Sequence, residues 1–181
     1  MVRAVSTVYT IGHSTRTTES FITILKTYGI KAVVDVRTIA GSRHNPQYNE
    51  ESLERSLSKY NISYMRMGGL GGLRHTTKES LNKAWKNASF RGYADYMQTV
   101  EFSENIKKLI KLAKEKQTVI MCAEAVPWRC HRSLIGDALV IRDIRVIDII
   151  NEKNSIPHKI TPFAQVKGQT ITYPEEMSKH S

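Results

Sequence analysis

Cysteine is scarce in this 181-residue chain: Cys122 and Cys130 are the only two. A disulfide scaffold is thereby excluded, and stability has to come from a buried core. Long apolar runs are also missing. The longest are about five residues, as in Thr118–Cys122, against the roughly 20 that a membrane-spanning helix requires. No charged segment followed by an apolar one opens the sequence, so a cytoplasmic location with reduced thiols is expected and no membrane partner. Acidic residues are few. Seventeen Asp and Glu face 27 Lys and Arg, a formal net charge of +10. That excess favours a polyanionic partner, nucleic acid (DNA ahead of RNA) or a nucleotide, with mere solubility as the competing explanation.

What is present is a pattern of short apolar runs alternating with amphipathic stretches. Val8–Gly12, Ala32–Val36, Ile62–Met67, Thr118–Cys122 and Arg145–Ile150 read as strands. Between them, Phe21, Ile22, Leu25 and Tyr28 fall at helical spacing behind a Thr17 or Thr18 cap. Leu53, Leu57 and Tyr60 do so behind Asn49, and Phe102, Ile106, Leu109 and Ile110 line a helix whose other face carries lysines. Thr76-Thr77-Lys78-Glu79 fits a capping box, and Phe90–Met97 a short helix. A helix is expected through Leu134, Ile135, Ala138 and Leu139. The expected fold is a single α/β domain over residues 1–165, with a mainly parallel sheet of about five strands flanked by helices. Residues 166–181 read as a polar C-terminal tail.

In such sheets ligands bind beyond the carboxyl ends of the strands. Polar residues gather there: His13 and Ser14 after the first strand, Asp35 and Arg37 after the second, Cys122 and Glu124 after the fourth. Four segments carry these residues: Thr10-Ile11-Gly12-His13-Ser14; Asp35-Val36-Arg37 with Ser42-Arg43-His44-Asn45-Pro46; Phe90–Met97; and Met121–Ala125 with Pro127-Trp128-Arg129-Cys130-His131-Arg132. In this order, and over roughly residues 8–164, the chain resembles the DUF488 family of small archaeal and bacterial proteins. The resemblance implies a cytoplasmic α/β domain and brings no settled chemistry.

The residues themselves suggest three chemistries. In the first, an enzyme hydrolyses an N-glycosidic bond in a DNA-repair setting: Asp35 is the ionised carboxylate, Glu124 the acid, and His13 the donor or water-orienting group. Arg37, Arg43, Arg129, Arg132, His131 and Ser14 would hold phosphates, those of the Arg129–Arg132 segment beside a helix start, and Tyr48 and Trp128 would stack an exposed base. The structural alternative has Asp35 simply pairing with Arg37 or Arg43. In the second, the same anion site serves a non-catalytic nucleotide- or nucleic-acid-binding module. The third is a Cys122-dependent phosphatase or sulfur-transfer enzyme. Against a phosphatase, six residues separate Cys122 from Arg129, and the loop holds a glutamate but no glycine. No CxxC, HxxxH or HExxH spacing occurs, so neither metal nor cofactor is expected, and oligomeric state stays open.

Overall fold

A computed structural model describes residues 5–176. Its elements follow in the order β1 (Thr7–Gly12), α1 (Thr18–Thr27), β2 (Ala32–Asp35), α2 (Glu50–Ser58), β3 (Ser63–Arg66), α3 (Ala88–Tyr96), α4 (Val100–Glu115), β4 (Thr118–Cys122), α5 (Arg132–Val140), β5 (Arg145–Ile149), β6 (Ser155–Pro157), β7 (Gln165–Lys167) and β8 (Thr170–Thr172). The main sheet has the order β3-β2-β4-β1-β5-β6. All its pairings are parallel except β5 with β6, which is antiparallel.

The central strands β2 and β4 are buried at every residue, which is why both read as unbroken apolar runs. Alternation along them divides the core in two. Ile11, Val33, Val119 and Met121 face Phe21, Leu25, Leu53 and Leu57 of α1 and α2. Val8, Val34, Ile120 and Cys122 face Phe102, Ile106, Leu134 and Ile135 of α4 and α5. Helices therefore cover both faces, and the single α/β domain with a mainly parallel sheet stands. Thr17 caps α1 by accepting the Ser20 amide. No helix of the described residues is long and apolar enough to cross a membrane.

To the about five strands expected, Ser155–Pro157 adds an antiparallel edge beside β5, making six. One expectation needs correcting. Residues 76–79 form no helix: the Thr76 hydroxyl and the Thr77 amide bond the Asp95 carboxylate, which also takes the hydroxyl of Ser80 and the amide of Asn82. The β7–β8 hairpin starts at Gln165 and runs into the expected C-terminal tail, where Ile171 and Tyr173 are buried in the core. Residues 1–4 of the expected domain and 177–181 of the expected tail lie outside the described residues.

Candidate functional site

The chain leaves β1 toward β2 on one side and β4 toward β5 on the other, so the β1–β4 crevice is a switch point of the sheet. Backbone seams the two strand ends together past their last pairing: the His13 amide donates to the Cys122 carbonyl at 2.9 Å, and Ser14 to Ala123 at 3.0 Å. Gly12 is required here, because a Cβ would sit 1.6 Å from the Glu124 carbonyl oxygen. Ser14 adopts a left-handed φ of 51° to turn the chain out of the strand.

Two hollows open above these strand ends. The larger, about 540 Å³, is lined by His13, Ser14, Arg37, Ser42, Asn45 and Glu124 among others. The smaller, about 280 Å³, is lined by Phe90, Arg129, Cys130 and His131. Thr38, Leu73 and Glu124 line both, so the two form one cleft with the exposed Glu124 between them.

Several of the expected site residues are committed elsewhere. Asp35 is fully buried and lines neither hollow. Its Oδ1 accepts from the Arg37 amide and Nε, and its Oδ2 from Arg37 Nη2 and the Tyr64 hydroxyl. It therefore cannot flank a glycosidic bond opposite Glu124, and Arg37 is correspondingly spent on Asp35 and the Tyr48 carbonyl. Tyr48 offers no face to a base. It is fully buried, stacked on His13 with centroids 4.1 Å apart, and its hydroxyl donates to the Arg16 carbonyl.

His13 Nδ1 lies 2.8 Å from the Ser14 carbonyl, which can only accept, so Nδ1 carries the proton. Nε2 is then the acceptor facing Arg37 Nη1 at 3.4 Å. Burial, with Arg37 adding to it, lowers the His13 pKa below its ordinary value. The ring is held neutral with Nε2 as an acceptor, which speaks against the proton-donor role and leaves the water-orienting one untouched. Arg132 is fully buried and Arg43 exposed, and neither lines either hollow. Trp128 is exposed but lines a separate hollow with Trp85 and His158.

What does converge is sulfur. Cys122, the last residue of β4, and Cys130, two residues before α5, hold their Sγ atoms 2.7 Å apart as free thiols. Cys130 Sγ also receives the Arg132 amide at the helix start (3.5 Å) and lies 3.5 Å from His131 Nδ1. His131 Nε2 is fixed by the Val36 carbonyl at 3.0 Å, so Nε2 donates and Nδ1 is free to take a proton from Cys130. The Cys122 thiol bonded to it, with the charge and hydrogen bond of His131, holds Cys130 well below the ordinary thiol range. Burial pushes Cys122 the other way. Of the two sulfurs, Cys130 has the histidine and the helix-start amide beside it and lines the cleft, while Cys122 lines neither hollow. Sequence reasoning placed the nucleophile on Cys122. The signal for Cys130 was its place before His131 at a helix N-terminus, a setting that favours a thiolate. Among the described residues, no group of three or more His, Cys, Asp or Glu is placed to hold a metal.

The family model described as "Domain of unknown function DUF488" matches residues 17–139. The chain belongs to the DUF488 family. The matched segment holds Asp35, Arg37, both cysteines, His131 and Arg132, and it leaves out β1, His13 and His158. No curated protein and no solved structure matches the chain. The DUF488 membership therefore names no reaction, and the chemistry has to be argued from the cleft.

Proposed function

We propose that this protein is a thiol-dependent enzyme of the sulfur-transfer or thiol–disulfide exchange class, with Cys130 as nucleophile and Cys122 as the second thiol. One observation carries it: a thiol pair in contact at a sheet switch point, with a histidine on the outer sulfur and a hollow opening onto it. The Cys130 thiolate attacks one sulfur of a substrate disulfide and expels the other half as a thiolate. Cys122 loses its proton and attacks the Cys130 sulfur, which releases the second half and leaves a Cys122–Cys130 disulfide. The substrate is reduced by two electrons, and a dithiol reductant returns the pair to its starting state. A phosphatase role is disfavoured, because Glu124 stands at the cleft where a phosphate would enter and Arg132 is withdrawn from it.

The test is alkylation by iodoacetamide across pH. Wild type is expected to react at a plateau rate down to about pH 6, below the ordinary thiol range, Cys122→Ser to keep part of that shift through His131 and the Arg132 amide, and Cys130→Ser to lose the reaction. A reaction that appears only above about pH 8, as for an unperturbed thiol, overturns the proposal. A second reading keeps the +10 charge and the larger hollow, which Glu124 and His13 both line: hydrolysis of an N-glycosidic bond in nucleic acid or a nucleotide, by Glu124 acting on water without Asp35. Single-turnover cleavage of modified-base oligonucleotides that Glu124→Gln abolishes and Cys130→Ser leaves intact selects that reading instead.

A further inference from the structure

Arg132 is a fully buried guanidinium without a carboxylate at ion-pair distance among the described residues. Nη2 donates to the Glu124 carbonyl at 2.9 Å, Nη1 reaches the Thr10 hydroxyl at 3.4 Å, and Nε finds no partner. A buried cation with so few bonds is costly, and an anion formed beside it would relieve that cost. Cys122 supplies that group. Its Sγ lies 3.8 Å from the same Glu124 carbonyl oxygen, so thiol and guanidinium converge on one atom. The other charged groups stand further along the chain of bonds. Asp148 accepts from the Thr10 hydroxyl and is shared with His158, which also pairs with Asp137.

We propose that Arg132 is the positioning residue for the second thiol, holding Cys122 ready to ionise and close the disulfide onto Cys130. The inference rests on the dithiol reading above. In the first half of the exchange only Cys130 acts, and it already has His131 and the helix-start amide. In the second half Cys122 must lose its proton in a buried place where no histidine contacts its sulfur. Arg132 offsets that burial: its charge is what opposes the upward push on the Cys122 thiol. Once Cys130 is tied up in the mixed disulfide, the single Cys122 proton is left to the Glu124 carbonyl; as the Cys122 thiolate forms, that bond lapses and attraction to the guanidinium takes over.

An aryl disulfide with a coloured leaving thiolate separates the two halves. The first equivalent is released when Cys130 forms the mixed disulfide, and the second when Cys122 displaces the remaining aryl thiolate. Arg132→Gln is expected to keep the first release at the wild-type rate and to slow the second about tenfold at neutral pH, one unit's worth of thiol ionisation. The deficit should shrink as pH rises and Cys122 ionises unaided, and Arg132→Lys should recover part of it. Thr10→Val removes the Nη1 anchor and keeps the charge; it is expected to slow the second release several-fold, and it decides the matter should Arg132→Gln not fold. Second-release rates and pH profiles equal to wild type in the folded variants overturn the role of Arg132 alone. No first release from wild type or Cys122→Ser near pH 6 overturns the dithiol reading itself.

Discussion

Gly12 shows how much of the site depends on single atoms. The Glu124 carbonyl that passes over it receives the Arg132 guanidinium and the Cys122 thiol, so a side chain on residue 12 disturbs both. Because the obstacle is backbone, it cannot rotate away. Gly12→Ala is expected to cost at least the roughly 1–3 kcal/mol of ordinary overpacking, read by chemical denaturation, and to displace the Ala123–Ala125 loop. At this scale the sequence was legible as to which residues gather and much less as to what each does. Asp35 ends β2 and Arg37 follows two residues later, so their pairing was open to view as the structural alternative, and it is the one realised. Arg132 looked like a phosphate ligand because spacing along a loop and helix start does not tell an inward guanidinium from an outward one. Cys130 drew less notice than Cys122 because its contacts with Cys122 and His131 exist only in the fold.

Strands and helices with a strong hydrophobic period were the readable elements: β1, β2, β4 and β5, and helices α1, α2, α4 and α5, fall within a few residues of where the apolar pattern puts them. The C-terminal hairpin was not. Its strands are three residues long, rich in Thr and Lys and largely exposed, so they carry no period longer than the noise. The trace of its packing is the pair Ile171 and Tyr173, two apart and both buried. Tyr173 does more than fill space. Its hydroxyl donates to Asp137 Oδ2 at 2.7 Å, its amide to Asn82 Oδ1, and its carbonyl accepts from the Ala84 amide. Tyr173→Phe, which leaves the shape and removes one bond to a carboxylate, is expected to cost about 1.5–3 kcal/mol. Tyr173→Ala is expected to cost about 3–5 kcal/mol, the usual loss for a buried aromatic. Thermal and denaturant melts of the two variants check both figures. Equal, negligible costs would mean that residues 165–173 contribute nothing to the fold.

For the whole molecule, the parallel topology followed from alternating elements, but the buried polar chain that ties its C-terminal half together did not, because its members come from distant parts of the sequence. His158, just past β6, donates from one ring nitrogen to Asp148 of β5 and from the other to Asp137 of α5, at 3.1 and 2.8 Å. Asp137 also holds Thr161 and Tyr173. With both nitrogens facing carboxylates, the ring is an imidazolium. Burial alone pushes its pKa down; the bonds and charges of Asp137 and Asp148 outweigh that and raise it from 6.5 to about 9. The native state then binds a proton that the unfolded chain gives up near 6.5. Its stabilisation is complete below pH 6.5 and is lost as pH rises through about 9. The span corresponds to about 3 kcal/mol. Cys130 acts in the opposite sense over the same range, since its lowered pKa favours the folded state at higher pH. The measurement is therefore made between two chains that both carry Cys130→Ser, one with His158 and one with His158→Gln. Their difference in unfolding free energy should be largest near pH 6 and should shrink by about 3 kcal/mol toward pH 9. A difference that stays flat across that window would mean that the ring is neutral in the fold and that Asp137 and Asp148 are not held by its charge.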